Sequence, residues 1–248
     1  MTVAALYDIH GNLPALEAVI EDIRRDGVDQ VVIGGDVLPG PMPRESLDYL
    51  LELEIPIQFI SGNGDRVVLD QIVGKASPEV PEQFQPVIRW NAKQLSAEHQ
   101  RFVASWPQTL GMNIPPHGEV LFCHATPRND TEIFTRFTPE DLLFHVFAGV
   151  KERLVVCGHT HMQFDREVGN LRVVNAGSVG MPFGEPGAYW LFIGSKIELR
   201  RTDYDLAKAA ERIRRTAYPQ AEDFATRSVM QPPSERAMLQ AWAKAELK

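Results

Sequence analysis

Seven side chains that could bind a divalent metal each follow a short apolar run typical of a β-strand. They are two aspartates, one asparagine and four histidines, and none is a cysteine. Oxygen and nitrogen ligands without a thiolate suit Mn, Fe or Zn in a hydrolytic site better than a structural zinc. In open α/β sheets, functional residues gather at the carboxyl ends of the strands. We therefore predict a hydrolytic two-metal centre formed by Asp8, His10, Asp36, His124, His159 and His161, and Asn63 lies at the end of a further strand.

The spacing within two of the motifs supports this prediction. Asp8 and His10 are two residues apart, as are His159 and His161. On a helix this spacing would turn the side chains about 200° apart, whereas on a turn after a strand both can face one crevice. A single His-x-His segment would be explained more simply as a solvent-exposed loop. Because similar residues end three further strands, we favour the metal site.

The elements that must position these residues alternate along the first 60 residues. The apolar run Val3–Tyr7 predicts a strand buried on both faces. Asn12 then caps a helix that Gly27 ends, and a second helix lies around Leu47 to Leu51. This alternation predicts a parallel core with right-handed crossovers. The other predicted strands are Val31–Ile33, Ile57–Ile60, Leu110–Ile114, Glu119–Cys123, Leu154–Cys157, Phe164–Val168, Leu171–Asn175, Ala188–Ile193 and Lys196–Thr202.

Two segments are predicted to be helical additions to the main domain, 1–204. Residues 71–116 have proline punctuation followed by two helical patterns, which indicates an inserted segment and a cap over the site. A helix near Pro139–Phe147 has Thr138 as its cap. The region 205–248 is a C-terminal helical extension that either packs on the domain or forms a dimer interface around Trp242.

Composition excludes several classes of protein. The chain has 248 residues, 44% of them hydrophobic, and a net charge of −8, which argues against general nucleic-acid or membrane-surface binding. It has no basic leader and no apolar run of about 20 residues, so we expect a cytoplasmic protein. The two cysteines, Cys123 and Cys157, lie in strand-like runs and are expected to be buried and reduced.

The order of the motifs resembles that of the calcineurin-like metallophosphoesterase superfamily. Asp-x-His, Gly-Asp, Gly-Asn, His and Gly-His-x-His occur in that order over Val3 to about Thr202, and Asn175-Ala176-Gly177-Ser178 resembles a segment of its small bacterial and archaeal phosphodiesterases. The resemblance implies two packed mixed sheets flanked by helices, and two metals. It places Asp8, His10, Asp36 and His161 on one metal, with Asp36 bridging to a second held by Asn63, His124 and His159.

This resemblance implies hydrolysis of a phosphoester by a metal-bridging hydroxide, with Asp36, His10, Asn63 and Asp65 as catalytic residues. One departure concerns the third motif, which usually reads Gly-Asn-His and then Asp or Glu. Here Gly64 replaces the histidine, and general acid help is typically worth ~10²–10⁴-fold. We therefore expect phosphodiesters to be preferred over protein phosphomonoesters. Asp65 could orient His10 or a water, or simply complement a helix dipole.

Three further residues are predicted to bind substrate: Arg128 and Asn129, which follow His124 closely, and Arg66, which follows the Gly-Asn-Gly-Asp turn. A guanidinium can bind phosphate oxygens in a bidentate manner. Solvent-facing loop residues are the alternative for both arginines. Ser178 is a weaker candidate near the metals. Mn²⁺ is the expected metal, with Fe, Zn and Ni as alternatives. Hydrolysis of dinucleoside polyphosphates or nucleotides is an alternative function, and a non-catalytic binding protein is a third. A small phosphoester or nucleotide is the expected partner, and a homodimer stays open.

Overall fold

The predicted ligands follow the carboxyl ends of strands in two five-stranded sheets. The computed structural model describes residues 1–75, 77–78, 80–243, 245 and 247. In the first sheet the strand order is β10-β9-β1-β2-β3, and in the second it is β4-β5-β6-β8-β7. The strands are β1 Val3–Leu6, β2 Gln30–Ile33, β3 Ile57–Phe59, β4 Thr109–Ile114, β5 Gly118–Cys123, β6 Leu154–Cys157, β7 Phe164–Val168, β8 Leu171–Asn175, β9 Ala188–Ile193 and β10 Ile197–Thr202.

Helices cover the outer faces of both sheets. They are α1 Leu13–Arg25, α2 Pro43–Leu51, α3 Asn63–Ile72, α4 Gln85–Gln94, α5 Ala97–Ala104, α6 Glu140–Val146, α7 Leu206–Arg214, α8 Ala221–Phe224 and α9 Glu235–Trp242. A 3₁₀ turn at Glu82–Phe84 precedes α4, and a π-helical turn at Ala225–Met230 follows α8. The predicted architecture, two packed mixed sheets flanked by helices, is confirmed.

The parallel strands in each sheet explain why the predicted ligands meet. Strands β1, β2 and β3 pair in parallel, with β9 antiparallel to β1. In the second sheet β5, β6 and β8 are parallel, and β4 and β7 are antiparallel. The carboxyl ends of parallel neighbours lie at one edge of a sheet, so the loops after β1, β2, β3, β5 and β6 converge.

The first strand shows how one apolar run serves two cores. Val3 and Ala5 pack in the cluster between the two sheets, together with Phe122 of β5. Ala4 and Leu6 point to the opposite face, into a cluster that includes Leu16 of α1. Because successive side chains of a strand alternate between faces, a continuous apolar run is required wherever both faces are covered.

Helix α1 begins and ends at the predicted residues. The side chain of Asn12 accepts a hydrogen bond from the backbone N–H of Ala15 at 3.3 Å, which caps the helix. Gly27 follows the helix with a φ of 63°, in the left-handed region that favours glycine. Helix α3 is an addition to the predicted elements, and it begins at the predicted ligand Asn63.

The segment predicted as an insertion, 71–116, is divided between helices and a sheet. Helices α4 and α5 pack against α3, and Val87, Ile88 and Val103 are buried in the same cluster as α1. Strand β4, by contrast, is an edge strand of the second sheet. The predicted boundary at residue 116 is therefore too late, because the helical part ends with α5.

The C-terminal extension, predicted over 205–248, packs on the first sheet's helical side over much of its length. Ala210 and Ile213 of α7 are fully buried, and Tyr218 makes an edge-to-face contact with Trp90 at 5.5 Å between ring centroids. Helix α9 has no buried residue, although the ring of Trp242 lies 5.4 Å from that of Phe183. A dimer interface around Trp242 stays a prediction.

Two further expectations concern the cysteines and the membrane. Both cysteines, Cys123 and Cys157, are buried and are not bonded to each other. Burial raises the pKa of the Cys123 thiol, so it is not a ready nucleophile. Among the helices of the described residues, none combines the length and the apolar character that a membrane crossing requires.

Candidate metal centre

The backbone at five of the predicted ligands adopts an unusual conformation. Among the described non-glycine residues, positive φ values occur at Asp8 (54°), His10 (47°), Asp36 (53°), His159 (66°) and His161 (58°). Such conformations are uncommon for non-glycine residues and cost on the order of 1–3 kcal/mol each, and they cluster at functional sites. Backbone hydrogen bonds hold two of them in place, from Asp8 N to Gly35 O at 3.1 Å and from His10 N to Asp36 O at 2.9 Å.

One group of ligand atoms forms around Asp8. Its Oδ1 lies 3.3 Å from Nε2 of His161 and 4.0 Å from Nε2 of His10. The two histidine Nε2 atoms are 3.3 Å apart. These three side chains, which come from the loops after β1 and β6, can therefore reach one metal ion together.

A second group forms around His124. Its Nε2 lies 3.0 Å from Oδ1 of Asn63 and 3.5 Å from Oδ2 of Asp36. The ring of His159 is 5.2 Å from that of His124, centroid to centroid. The same Oδ2 of Asp36 is 3.7 Å from Nε2 of His10 in the first group. Asp36 therefore lies between the two groups.

A divalent cation would satisfy an atom that the protein leaves without a partner. Oδ1 of Asp8 is buried and has no hydrogen bond, while Oδ2 accepts one from the backbone N–H of His159 at 2.8 Å. An unpartnered buried carboxylate oxygen is costly unless a cation or donor meets it. With four imidazole rings and an amide oxygen nearby, this donor set fits a pair of divalent metals.

The ring nitrogens of three histidines are oriented for metal binding. Nδ1 lies within hydrogen-bond distance of a backbone carbonyl in each: Pro39 O for His10 at 3.2 Å, Gly34 O for His124 at 2.9 Å and Met181 O for His161 at 2.7 Å. A proton on Nδ1 donates to that carbonyl and leaves the Nε2 lone pair facing the centre. A backbone carbonyl is a usual hydrogen-bond partner for the second ring nitrogen of a metal-bound histidine.

The contacts of Asp65 differ from the predicted role of orienting His10 or a water. Its Oδ2 accepts hydrogen bonds from the backbone N–H groups of Asp36 at 2.8 Å and Gly62 at 3.0 Å, and its Oδ1 from that of Leu38 at 3.0 Å. Asp65 therefore clamps the loop that presents Asp36. Burial and the nearby Asp36 carboxylate raise the pKa of Asp65 to about 7, while these three N–H donors favour its ionised form.

Gly64 stands where the resembling superfamily usually has a histidine, and the local packing explains the small residue. A Cβ atom at this position would lie 2.3 Å from the carbonyl oxygen of Leu38 and 2.9 Å from Oδ1 of Asp36. The backbone N–H of Gly64 donates to that Oδ1 at 2.6 Å. A side chain could enter only if the Asp36 loop moved.

The carboxylates and histidines shift one another's pKa values strongly. Burial alone would raise the pKa of Asp36, but the neighbouring His124 outweighs it and lowers this pKa. Burial would lower the pKa of His124, but the Asp36 carboxylate raises it to about 10. His159 lacks such a close carboxylate, and burial together with His124 lowers its pKa to about 4. Protons on this cluster therefore compete with metal ions, and metal binding releases them.

The predicted substrate-binding residues have other partners. Arg66 donates to Asp130, from Nε to Oδ2 at 2.6 Å, and the side chain of Arg128 donates to Glu132, from Nη2 to Oε1 at 2.7 Å. The side chain of Asn129 shapes its own loop, since its Oδ1 accepts from the backbone N–H of Thr131. None of the three lines the cleft at the two ligand groups, so their role in phosphate binding stays a prediction.

Three further residues support the ligands, and of these Phe183 carried no signal in the sequence. The ring of Phe183 stacks on His161 at 5.2 Å between centroids. Ser178 donates from Oγ to the carbonyl of Asp8 at 2.8 Å, which fixes the loop after β1. Asn175 donates to the carbonyl of Gly158 at 2.6 Å and so supports the His159 loop. The last two belong to the Asn-x-Gly-Ser segment already singled out from the sequence.

The two packed mixed sheets bring aspartate, asparagine and histidine side chains together at the strand ends, a set that suits divalent metals. Comparison with known proteins agrees: residues 1–194 match the calcineurin-like phosphoesterase superfamily domain. The chain belongs to this family, as expected from the motif order, and it is therefore a hydrolase of phosphoesters.

Individual relatives cover most of the chain. It is 31% identical to the uncharacterized protein MJ0912 of Methanocaldococcus jannaschii over 239 residues, covering 88% of this chain and 94% of that protein. It is 28% identical to phosphodiesterase YfcE of Escherichia coli over 192 residues, covering 73% and 82%. The solved metallophosphoesterase from Sphaerobacter thermophilus superposes with a TM-score of 0.72 at 26% identity, covering 92% and 97%.

Proposed function

We propose that this chain is a phosphodiesterase that uses two divalent metals held by the seven ligands. The observation that carries the proposal is the position of Asp36. Its Oδ2 lies 3.5 Å from Nε2 of His124 and 3.7 Å from Nε2 of His10, between the two ligand groups. A carboxylate in that position can serve both metals, which favours a two-metal site over a single one.

The residues divide into two sets of ligands. Asp8, His10 and His161 would hold one metal, and the second would be held by the remaining ligands, with Asp36 shared between them: Asn63, His124 and His159. Bound metals supply an activated water at neutral pH and neutralise charge on the phosphate. The chain's part is to fix these ligands rigidly, through Asp65 on one loop and Ser178 on another.

The preference for phosphodiesters over the phosphomonoesters of proteins, whose alkyl leaving groups need a proton most, rests on position 64. Gly64 offers no side chain that could protonate a leaving group, and the packing against Leu38 prevents a larger residue from taking its place. A leaving group that is stable as an anion needs this proton least. The name of the related YfcE, a phosphodiesterase, supports the same preference.

The remaining details of the proposal concern the identity of the metal and the location of the protein in the cell. Mn²⁺ is the proposed ion, since oxygen and imidazole ligands accept it, with Fe, Zn and Ni as alternatives. We place the protein in the cytoplasm, a location that the two buried and unbonded cysteines suit.

The test begins with protein stripped of metal by a chelator. Mn²⁺ is then restored, and hydrolysis of bis(p-nitrophenyl) phosphate is measured beside that of p-nitrophenyl phosphate. The expected result is cleavage of the diester that depends on Mn²⁺ and exceeds cleavage of the monoester. A protein that binds two Mn²⁺ ions per chain and still cleaves neither ester would overturn the proposal. Faster cleavage of the monoester would overturn the preference alone.

A further inference from the structure

A second hollow adjoins the cleft that contains the proposed metal ligands. It has a volume of about 360 Å³, within the ~300–1,000 Å³ range of small-molecule sites. Its lining includes His10, Pro39, Phe84, Ile88 and Met181, which also line the cleft that contains Asp36 and Asn63. A substrate whose phosphate lies at the metals could therefore extend one substituent into this side pocket.

One part of the side pocket is apolar and largely aromatic. Phe84 precedes α4, Phe183 stacks on the ligand His161, and Met238 belongs to α9. Tyr218 and Phe224, which meet edge to face at 6.1 Å between centroids, contribute two more rings. Aromatic and aliphatic walls of this kind suit the flat faces of a ring.

Four polar side chains of the side pocket come from one short segment of the chain, which provides an amide, a carboxylate, a guanidinium and a hydroxyl. The amide of Gln220 donates to the carbonyl of Gln83 at 3.1 Å, which ties this segment to the turn before α4. The carboxylate and the guanidinium form an ion pair at 3.2 Å. These polar lining residues are Gln220, Asp223, Arg227 and Ser228.

We propose that the side pocket binds the base of a nucleoside phosphodiester, a proposal that rests on the phosphodiesterase function above. A nucleobase has apolar faces and a hydrogen-bonding edge, which matches aromatic walls on one part and polar groups from Gln220 to Ser228 on another. An acyl chain has no hydrogen-bonding edge that those polar groups could contact. A bare sugar would leave the aromatic walls without a flat face to stack on.

Part of the side-pocket wall comes from residues outside the range that matches the family. The match to the superfamily covers residues 1–194, whereas the residues from Tyr218 to Met238 lie beyond it, in the C-terminal extension. The metal ligands all lie inside the matched range. The extension therefore supplies a wall for the substrate and no ligand for the metals.

The first test measures binding, so that it does not depend on turnover. AMP and ribose 5-phosphate share a sugar and a phosphate and differ by the base. Calorimetric titration of the Mn²⁺-loaded protein is expected to show at least about tenfold tighter binding of AMP, the scale of one base stacked on an aromatic ring. Equal affinities for the two ligands would overturn the proposal.

A variant then locates the effect. Phe84 is 42% exposed, so Phe84→Ala removes a pocket wall without opening the core. It is expected to weaken AMP binding about tenfold and ribose 5-phosphate binding much less, since Phe84 lines both the side pocket and the cleft. The matched control is Phe144→Ala, since Phe144 is 52% exposed on α6 and lines neither hollow. Loss of AMP affinity in the control, or none in Phe84→Ala, would place the base elsewhere.

Phenyl phosphate separates a base from any aromatic group. If it binds the wild-type protein as tightly as AMP, the polar segment contributes nothing and the nucleobase is the wrong occupant. The failure of the phosphodiesterase function is a different outcome. In that case p-nitrophenyl diesters are not cleaved, whereas the AMP and ribose 5-phosphate titrations still report on the pocket.

Discussion

The seven proposed metal ligands and the side pocket differ in the backbone structure that positions them. Six of the seven proposed ligands lie on loops after strands and Asn63 begins α3, with left-handed backbone at five of the seven positions. The wall of the side pocket that comes from the extension consists of a short helix, a π-helical turn and α9, which has no buried residue. In the proposed assignment, loops fixed by hydrogen bonds hold the metals, and a segment outside the matched domain contributes to the pocket for the base.

This difference has an energetic basis. Around the metals, buried polar groups are costly unless each one finds a partner, so the loops are fixed by hydrogen bonds such as those of Asp65 and Ser178. In the side pocket the contacts are apolar, and apolar contacts tolerate changes of side chain better. Substitutions on the metal side should therefore abolish turnover, whereas those in the extension should alter stability or substrate preference.

The largest expected effect comes from Asp36→Asn. The substitution keeps the shape of the side chain and removes the negative charge that lies between the two ligand groups. Loss of several kcal/mol of charge stabilisation corresponds to a fall in kcat of about 10³-fold or more. Steady-state hydrolysis of bis(p-nitrophenyl) phosphate measures it, and metal analysis shows whether an ion is lost.

The matched control for this prediction is Asp203→Asn, because the Asp203 side chain is 80% exposed and remote from the cleft. It should retain wild-type turnover. If Asp36→Asn folds, as judged by circular dichroism, and turns over at the wild-type rate, the two-metal assignment is wrong.

On the other side of the comparison, Ile213→Ala should lower stability with little change in turnover. Ile213 is fully buried in α7 against the helices of the first sheet. Removing its buried methyl and methylene groups is expected to cost about 2–5 kcal/mol in the free energy of unfolding. Urea denaturation measures this, and kcat of the folded protein should change less than twofold.

The exposed Arg215→Ala on the same segment is the control, and it should cost much less. A large fall in kcat for folded Ile213→Ala would show that the extension takes part in positioning the metals, and the division proposed here would not hold.

A smaller effect on turnover is expected from Gly64→Ala. The added Cβ would lie 2.3 Å from Leu38 O, so the loop that carries Asp36 must shift by a few tenths of an ångström or more. A displaced ligand loop should lower kcat by roughly 10–100-fold, as loss of outer support around a metal does. For the same reason Gly64→His, which adds the superfamily's usual side chain, should not raise activity.

Gly111→Ala provides the control, since a Cβ at Gly111 has open space around it. Diester hydrolysis by the three variants is compared at saturating Mn²⁺. A gain of activity in Gly64→His would show that the loop accommodates a histidine, contrary to the packing against Leu38.

The sequence predicted those features of the structure that depend on residues next to each other in the chain. The ligands could be found because an apolar run and the polar residue that ends it are neighbours in the chain. The clamp from Asp65 to Asp36 joins residues 29 apart, and the approach of Gly64 to Leu38 has no pattern in either segment. The side pocket needs Phe84 and Met238 together, which only the packed structure shows.

The same limit explains the boundary at residue 116. Alternation in Leu110–Ile114 predicted a strand, but the periodicity of that segment does not say which sheet it joins. The antiparallel pairing of β4 with β5 decides this, and it places β4 outside the helical part. Helix α3 was missed because Asn63 and Gly64 open it, and neither residue is a strong helix former.

The smallest expected effect concerns the loop after His124, which completes the cleft through Thr131 and Ile133. Glu132 holds this loop by accepting hydrogen bonds from Arg128 and from Thr126 Oγ1 at 2.6 Å. Partial burial would raise the pKa of Glu132, but these partners outweigh it and lower the pKa below 4.5. A carboxylate with a lowered pKa stabilises the fold above its unfolded pKa, and that contribution is lost as the pH falls through the folded value.

Glu132→Gln should therefore cost about 0.5–1 kcal/mol in the free energy of unfolding at pH 7, discounted for solvent around the pair. The gap to wild type should shrink as the pH falls below about 4.5, where the wild-type carboxyl also loses its charge. Urea denaturation in the presence of a chelator removes any contribution from metal binding. Glu21→Gln, at a 69% exposed side chain, is the control and should show no such gap. A gap for Glu132→Gln that stays constant from pH 7 to pH 3.5 would mean that shape, and not charge, fixes this side of the cleft.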